Sequence, residues 1–519
     1  MKRADAVVIG AGFGGLGAAL SLAERGCAVS LFETLRYPGG CASTFTKQGD
    51  RFETGATLFA GLTAEGFFGR WLRHHGQALE VHQPDPVVVL HTPQWSLPVD
   101  ADRDAFIERL CGFPDAPTSA IRSWFALQGR VADALWPLLN DPARLPPFDA
   151  AALAWHLKRF GRYRPLLSLV GKSVIQVLRS HGLEDFAPLR LWLNATAQIT
   201  IQCSIDRAEA VMALATADYF FRGAGHVHGG VGNLATAMVD AIETNGGQVS
   251  LGDRVKAARW RPESQTWLVE SRRHRVETPV LIANLLPSAT AALTGQTGRR
   301  LRRMERAVTD SWGACMLYLA VTPAAVQRQE AHHLELVLDP TAPLIEGNHI
   351  FCSVSGADET DRSADGCRTV TISTHMVLRG DAPPPQSQVE RVQSQMWQTL
   401  AELAPHLAEG TERQWRASPR TWQRFTGRPA GRVGGVPRTA GLRGYLGMVN
   451  RPVGPGLWIV GDSTFPGQST LATCLGGAKL GARLAADLKT RPKLRALLPE
   501  ATPLRTSPPA AVEQLTKRR

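Results

Sequence analysis

Glycines near the start of the chain have the spacing of a turn that binds the phosphates of a dinucleotide. They are Gly10, Gly12, Gly14 and Gly15. An apolar run at residues 6–9 precedes them, and a helical pattern follows to about Arg25. Glycine at these positions permits a tight turn, lets backbone approach a pyrophosphate and allows the helix to pack closely on a sheet. The N-terminus of that helix favours the negative charge of the pyrophosphate.

A second apolar run, at residues 28–32, ends at Glu33. A carboxylate at this distance from the glycines accepts hydrogen bonds from an adenosine ribose, and it repels a ribose 2′-phosphate. FAD or NAD is therefore favoured over NADP. Strand, glycines, helix, second strand and terminal acid together predict a dinucleotide-binding βαβ unit, and the alternative is a glycine-rich turn that binds no nucleotide.

Another glycine turn lies near the other end of the chain, in "GLWIVGDSTFPGQST". Asp462 follows a predicted strand at residues 457–460, where its carboxylate can accept hydrogen bonds from the hydroxyls of a sugar alcohol, and Gly461 keeps that approach open. Ser469 or Thr470 can cap a helix that extends to about Leu488, whose positive end stabilises charge that develops on a flavin ring. A simple NAD enzyme needs no such second turn, so a flavin is favoured. The alternative is an ordinary strand-to-helix turn.

The pattern of elements predicts an α/β protein with two intertwined domains. We expect a Rossmann-type FAD-binding domain assembled from residues 1–100, 222–300 and 441–489. Residues 101–221 and 301–440 are expected to form a substrate domain of antiparallel sheet with a helical cap. One helix is predicted at about 232–244 and another at about 385–407. A basic tail, 490–519, is predicted to be disordered.

Bulk composition narrows the class of protein. The chain has 519 residues, of which 44% are hydrophobic and 20% charged, as in globular proteins. Its eight cysteines form no CxxC pair, which favours a reducing, cytoplasmic compartment over disulfides or zinc. The apolar run at the start is used as the first strand, so it is not interpreted as a signal peptide, and no uncharged stretch is long enough for a spanning helix.

The net charge of +12 is uneven, with eight Lys or Arg and two Glu at residues 489–519. Simple solvation of this tail and attraction to an anionic membrane are the two interpretations. Nucleic acid is not expected as a partner, because the tail has no aromatic residue to stack on bases.

Five pieces of the sequence occur together in the order and spacing of the phytoene desaturase and carotenoid isomerase family. They are "VVIGAGFGGLGAAL…LFE", "PGGCASTF", "RFETGATLFAGL", "HGGVGNLATAMVDAI" and "GLWIVGDSTFPGQST". The chain resembles this family of FAD flavoproteins, which is related to the amine oxidases. The resemblance is weakest between residues 100 and 200. The second and third pieces look closest to bacterial carotenoid desaturases that act near the end of the polyene.

The resemblance implies FAD as the cofactor and extends the set of cofactor-binding residues. Gly39 and Gly40 would let backbone pass close to the pyrophosphate, whereas Cys41 replaces the Arg or Ser of many relatives. Val255 matches a position whose backbone contacts the adenine; a plain strand valine is the alternative. Asp462 matches the aspartate that binds the ribityl chain. Gly467 and Gln468 belong to the same implied set as Ser469 and Thr470.

The activity implied by the resemblance is desaturation of a carotenoid by hydride transfer to flavin. Redox-neutral cis–trans isomerisation on reduced FAD is the first alternative. A ketolase, an amine oxidase and a carrier of flavin and lipid without activity are further alternatives. Delocalisation of charge over a polyene makes a strong protein nucleophile unnecessary, and no residue is assigned as catalytic.

Two local patterns have competing interpretations. His226 and His228 form an HxH pair without a nearby third ligand, so no metal site is predicted, and packing over the cofactor is favoured. Basic and aromatic residues between Trp155 and Tyr163 precede an apolar pattern that extends to Leu178. Either a peripheral contact with the inner face of an anionic membrane or a core helix with a solvated edge fits this segment.

Overall fold

The computed structural model describes residues 2–327, 331–441 and 449–490. The strands, numbered in chain order, are β1 Lys2–Arg3, β2 Ala6–Ile9, β3 Val29–Phe32, β4 Thr44–Lys47, β5 Asp50–Glu53, β6 Val81–His82, β7 Val88–His91, β8 Ser96–Val99, β9 His226–Val227, β10 Gln248–Ser250, β11 Val255–Arg261, β12 Thr266–Ser271, β13 Arg275–Thr278, β14 Val280–Ala283, β15 Gly313–Val321, β16 His333–Val337, β17 His349–Val354, β18 Arg368–Met376, β19 Thr411–Ala417 and β20 Leu457–Ile459.

The α-helices, numbered in the same way, are α1 Phe13–Ala23, α2 Phe67–His74, α3 Arg103–Cys111, α4 Thr118–Leu139, α5 Ala150–Lys158, α6 Arg164–Leu167, α7 Val174–Ser180, α8 Ala187–Ile201, α9 Ala210–Ala217, α10 Gly232–Thr244, α11 Pro287–Thr294, α12 Arg299–Val308, α13 Pro323–Val326, α14 Gln386–Leu403, α15 Pro405–Glu409, α16 Pro419–Thr426 and α17 Thr470–Thr490. Short 3₁₀ turns occur at Pro142–Arg144, Phe160–Tyr163, Asp218–Phe221, Thr360–Arg362 and Pro429–Gly431.

Five parallel strands form the central sheet of the nucleotide-binding half, in the order β10, β3, β2, β14 and β20. All five strands are short, and β2, β3, β14 and β20 are wholly buried, as expected for a parallel sheet with both faces covered, whereas the edge strand β10 is partly exposed. They come from three separated parts of the chain, as the sequence predicted. The α/β fold class is therefore confirmed.

Helices α1 and α17 pack against each other with their backbones very close. A Cβ atom on Gly17 would lie 2.4 Å from the carbonyl oxygen of Cys474, and one on Gly477 would lie 2.0 Å from that of Gly14. A side chain at either position would force the two helices apart. Glycines on both helices therefore let the two glycine turns at their N-terminal ends approach each other.

A second sheet of seven strands has the order β19, β15, β18, β17, β16, β7 and β8. Its neighbouring pairs are antiparallel except β16 and β7, which are parallel. The antiparallel substrate-domain sheet was predicted, but the sequence boundary at residue 100 separates β7 and β8 from the sheet they join. A strand pair contributed from a distant part of the chain leaves no local signal of its partner. The rest of the predicted domain division stays a prediction.

Helices α3 to α9 form a layer over the second sheet, where a helical cap was predicted. Different parts of the segment at residues 155–178 fit the two interpretations given for it. Leu157, Phe160 and Leu167 are exposed, whereas Val174 and Leu178 are buried in the core. The segment is not a single helix, because the chain breaks into α5, a 3₁₀ turn, α6 and α7.

Two further outcomes concern helix lengths and the tail. Helix α10 has the predicted bounds, but the helix predicted at about 385–407 is interrupted at Pro405, which has no N–H to continue the hydrogen-bond ladder. The basic tail lies almost entirely outside the described residues. Within the described ranges, no helix has both the length and the apolar character needed to cross a membrane.

Candidate flavin and substrate site

The carboxyl ends of four parallel strands meet at one edge of the central sheet. Gly10 follows β2, Glu33 follows β3, Asn284 follows β14, and Gly461 lies two residues after β20. All four residues line one large cavity. The edge where such strand ends meet is the general binding position in open α/β sheets.

Asn284 fills the space between the two glycine turns. Its Nδ2 donates a hydrogen bond to the carbonyl oxygen of Gly10 at 3.3 Å. A Cβ on Gly12 would lie 2.8 Å from the Asn284 Nδ2, and one on Gly461 would lie 2.7 Å from its Oδ1. The turns thus form a close backbone cradle around one amide side chain. Sequence reasoning missed Asn284, although its place directly after a buried strand was a usable signal.

Glu33 is buried at the edge of the cavity and already holds two backbone N–H groups. Its Oε2 accepts a hydrogen bond from the amide of Ala11, and its Oε1 accepts one from the amide of Leu35, both at 2.8 Å. Burial raises the pKa of Glu33, and these backbone bonds oppose that effect. The carboxylate is consequently fixed in orientation, with further lone pairs available to ribose hydroxyls.

The turn after β20 directs the N-terminus of α17 towards the cavity. The Ser469 side chain accepts a hydrogen bond from the amide of Ala472 at 3.0 Å, which is the predicted cap. Thr470 begins the helix, and both residues line the cavity with Gln468. The positive end of a long helix therefore faces the space where a cofactor ring would lie.

Asp462 has a cationic partner that the sequence analysis did not identify. Arg428 donates a hydrogen bond from its guanidinium to Asp462 Oδ2 at 2.7 Å, and both side chains are mostly buried. Arg428 also donates to the carbonyl oxygen of Gly434 at 2.8 Å. The pair fixes the Asp462 carboxylate beside the second glycine turn, and 34 residues of sequence separation explain why no motif revealed it.

The remaining predicted cofactor residues occupy two kinds of position. Gly14, Gly39, Gly40, Cys41 and Val255 line the cavity with the residues above. Gly15 and Gly467 are not among its lining residues. A Cβ on Gly15 would lie 2.0 Å from the carbonyl oxygen of Gly10. Because glycine has no Cβ, α1 can pack on the turn. Burial raises the pKa of Cys41, which fits a thiol without catalytic reactivity.

The prediction that the HxH pair packs over the cofactor is wrong for His226. This side chain is buried outside the cavity lining, and its Nε2 lies 2.9 Å from Glu359 Oε2. His228 is partly exposed, with Nε2 3.9 Å from Asp358. No group of three potential metal ligands occurs in the described ranges. His226 therefore contacts the buried carboxyl group of a residue more than 130 positions later in the chain.

The cavity continues from the glycine turns over the second sheet. Its volume is about 800 Å³, within the range of sites for small molecules and cofactors. Most of its exposed surface is apolar, contributed by both layers of the substrate half. The larger apolar lining residues are Leu58, Phe59, Trp136, Leu139, Ile199, Ile201, Met212, Met316, Phe351, Trp422 and Phe425.

Several buried polar atoms in this cavity have no protein partner. They include Thr57 Oγ1, Gln468 Oε1 and both amide atoms of Gln202. Buried polar groups are usually hydrogen-bonded, so such atoms mark places where a bound group completes the site. Polar atoms near the turns and an apolar remainder fit a cofactor with a polar chain beside an apolar substrate.

Comparison with known proteins tests the family resemblance seen in the sequence. Residues 8–73 match a family described as an NAD(P)-binding Rossmann-like domain. The chain is 24% identical over 518 residues to a chloroplastic prolycopene isomerase from Arabidopsis thaliana, an alignment that covers 95% of this chain and 84% of the relative. It is 32% identical over 181 residues to a hydroxyneurosporene desaturase from Cereibacter sphaeroides, covering 33% of this chain and 35% of the relative. These matches confirm the resemblance to the phytoene desaturase and carotenoid isomerase family.

Solved structures agree with a flavoprotein fold for this chain. A redesigned putrescine oxidase superposes with a TM-score of 0.62 at 16% identity, covering 94% of this chain and 100% of the oxidase. This likeness concerns the fold alone. This chain is an enzyme of the flavin oxidoreductase type, and its cavity joins the two glycine turns to an apolar compartment.

Proposed function

We propose that this chain is an FAD-dependent carotenoid desaturase, which removes two hydrogens from adjacent carbons of a polyene. The observation that carries the proposal is the continuity of the cavity from the two glycine turns to the apolar compartment. A polyene held in that compartment lies against the end of the site where the cofactor ring would be. The 181 residues that are 32% identical to a hydroxyneurosporene desaturase are consistent with this reaction.

The residues present fit FAD. Backbone at Gly12 and Gly461 leaves space beside Asn284 that a Cβ would fill, which suits close approach of a pyrophosphate. Glu33 suits the adenosine ribose, and Asp462 suits the ribityl hydroxyls. The predicted cofactor residues Gly14, Gly39, Gly40, Val255, Gln468, Ser469 and Thr470 belong to this same proposal.

Bound FAD would supply an acceptor for both hydrogens, one transferred as a hydride and the other as a proton. The protein contributes orientation, because the apolar lining holds a polyene along the floor and excludes water. The N-terminus of α17 provides a favourable field for negative charge that accumulates on the ring. The Arg428 guanidinium holds the Asp462 carboxylate in one orientation.

Pigment analysis tests the reaction. The full chain would be expressed in bacteria that accumulate a defined acyclic carotenoid, and pigments would be separated by chromatography with mass detection. We expect loss of pairs of hydrogens and absorption at longer wavelength. The matched control is Gly12→Val, because the added side chain would collide with Asn284 and block the cofactor. Added oxygen would instead indicate a ketolase, and unchanged pigment would contradict the proposal.

Isomerisation is the second candidate function. It is favoured by the near full-length match to prolycopene isomerases, which leaves little of the chain without a counterpart. The same pigment experiment separates the two reactions. Unchanged mass with a shifted retention time would replace desaturation by isomerisation.

The assignment of Asp462 has its own test. Asp462→Ala removes the proposed ribityl contact and leaves the Arg428 guanidinium without its anion. We expect at least a tenfold loss of affinity for FAD, measured by flavin fluorescence during dialysis of the purified protein. Asp361→Ala, which alters an exposed aspartate, is the control. Full flavin occupancy in Asp462→Ala would remove the assignment.

We also propose peripheral contact with an anionic membrane through residues 148–170. Six large apolar side chains are exposed in this short stretch: Phe148, Leu153, Leu157, Phe160, Leu167 and Val170. Residues 150–172 contain five Lys or Arg and no Asp or Glu. Exposed apolar groups flanked by cations suit the interface of an anionic bilayer, from which a water-insoluble polyene would be drawn.

Vesicle flotation tests this contact. The Leu157→Ser/Phe160→Ser double variant should bind phosphatidylglycerol vesicles several-fold more weakly than the wild type. Val377→Ser alters an exposed apolar residue elsewhere and should bind normally. Equal binding by all three proteins would contradict the assignment.

A further inference from the structure

A row of side chains leads from the cavity to a buried carboxyl group. Met316, Ser373 and Phe351 pair in register across β15, β18 and β17, and all three line the cavity. Glu335 on β16 is the next residue in this row, directly opposite Phe351. Directly opposed residues share one face of a sheet, so Glu335 lies on the face that forms the cavity floor, next to the lining residue Phe351, although Glu335 is not itself a lining residue.

Glu335 is fully buried, and neither of its carboxyl oxygens has a hydrogen-bond partner. Burial raises the pKa of Glu335 to about 8, so the group is protonated and uncharged at neutral pH. A protonated carboxyl both donates and accepts hydrogen bonds. An unpartnered buried group of this kind costs free energy in the folded protein, and a ligand that supplies the partner removes that cost.

The surroundings of Glu335 are polar but uncharged. Tyr219, from the helical layer, lines the cavity, and its pKa is raised by burial and also by the neighbouring Glu335. His333 and His349 flank Glu335 on the same face of the sheet, and the Nε2 atom of each is buried without a partner. Burial lowers the pKa of both histidines, so they are neutral. This patch suits a neutral oxygen function.

The distance between Glu335 and the proposed flavin position indicates what Glu335 can contact. Met316 on β15 packs beside Trp422 and Cys41, close to the proposed flavin position. Glu335 lies three strands further along the row, roughly 14 Å away at the usual strand spacing. That separation places Glu335 beyond contact with reacting carbons, at the far end of an elongated substrate.

We propose that Glu335 is a specificity-determining residue that hydrogen-bonds a hydroxyl or carbonyl oxygen at one end of the polyene. The inference rests on the proposed function for the nature of the chain between that oxygen and the flavin. It adds to that function a preference for substrates oxygenated at the end distant from the reacting bond.

Conversion of paired substrates tests the preference. Bacteria would supply either a hydrocarbon polyene or the same polyene with a terminal hydroxyl, with full-length wild type, Glu335→Leu or Glu335→Gln. We expect the wild type to favour the hydroxylated substrate at least tenfold. Glu335→Leu should reduce that ratio to within twofold by losing only the hydroxylated reaction, and Glu335→Gln should keep most of it. No preference in the wild type, or equal losses on both substrates in Glu335→Leu, would overturn the inference.

Binding to purified holoprotein separates this inference from the proposed reaction. Quenching of tryptophan fluorescence by each detergent-dispersed polyene gives the ratio of dissociation constants. A ratio of at least ten that disappears in Glu335→Leu supports the recognition role, even if neither substrate is converted and the proposed function fails. Equal binding of both polyenes with normal conversion would overturn the recognition role while the proposed function stands.

Discussion

Two buried carboxyl groups in the substrate half have opposite environments. Glu359 accepts hydrogen bonds from Arg362 Nε at 3.0 Å and from the amide of Gly229 at 2.6 Å, and it pairs with His226. Burial acts to raise the pKa of Glu359, but the bond with His226 and the charge of Arg362 hold it well below its ordinary value. Glu335 has no partner at either oxygen, and burial alone raises its pKa.

The difference separates stabilising from ligand-binding roles. Arg362 joins Glu359 to Glu53 on β5, with Nη2 3.1 Å from Glu53 Oε1, so one buried cation connects distant parts of the chain. A carboxylate that stabilises a fold is supplied with donors by that fold. A buried carboxyl without partners costs stability, and its presence in the row that leads from the cavity is explained by a ligand.

The largest expected effect comes from removing the central cation. Arg362→Met leaves Glu53 and Glu359 buried without their common partner, so the free energy of unfolding should fall by about 3 to 5 kcal/mol. Denaturant unfolding at saturating flavin measures the change. Arg391→Met is the control, because Arg391 is largely exposed and its pair with Glu346 should contribute less than about 1 kcal/mol. Equal losses in both variants would show that the buried ion network stabilises the fold no more than the exposed ion pair does.

The second prediction concerns pH at Glu335. The folded state keeps the Glu335 proton up to about pH 8, whereas the unfolded chain releases it near pH 4.5. Unfolding therefore releases a proton between these values, and the stability contributed at this site falls as pH rises. Tyr219 from the helical layer and the neutral His333 and His349 are the titratable groups that face it.

Glu335→Gln cannot ionise, so its stability relative to the wild type should increase by about 2 kcal/mol from pH 6 to pH 8. Denaturant unfolding of both proteins at the two pH values gives the difference. Glu390→Gln, on the exposed face of α14, should show no such trend. A constant difference for Glu335→Gln would mean that Glu335 has a partner in the folded protein.

The same contrast explains how far the sequence predicted the site. The glycine turns, Glu33, Asp462 and the cap at Ser469 were predictable because each depends on residues close together in the chain. Local patterns also predicted the two sheets and helix α10. The position of Glu335 beside Phe351 depends on the register of the β16–β17 pair, which no local sequence pattern gave.

Asn284, Arg428 and Arg362 were missed for a related reason. Each is a polar residue whose partner belongs to a separate segment, and no spacing rule connects them. His226 was misinterpreted because its neighbours in sequence are cofactor-turn residues, whereas its partner Glu359 comes from a loop 133 residues later. The contacts of these residues therefore became clear only from the three-dimensional structure.

The smallest expected effect lies at the edge of the Arg362 network. The Thr44 hydroxyl donates a hydrogen bond to Glu53 Oε2 at 2.9 Å and accepts one from the amide of Gly232, the first residue of α10, at 2.9 Å. Thr44→Val keeps the shape and removes both bonds, so the free energy of unfolding should fall by about 1 to 2 kcal/mol. Thr46→Val on the same strand alters an exposed hydroxyl and should change it by less than about 0.5 kcal/mol. If the two variants unfold at the same denaturant concentration, the Thr44 hydroxyl contributes nothing measurable to the support of Glu53.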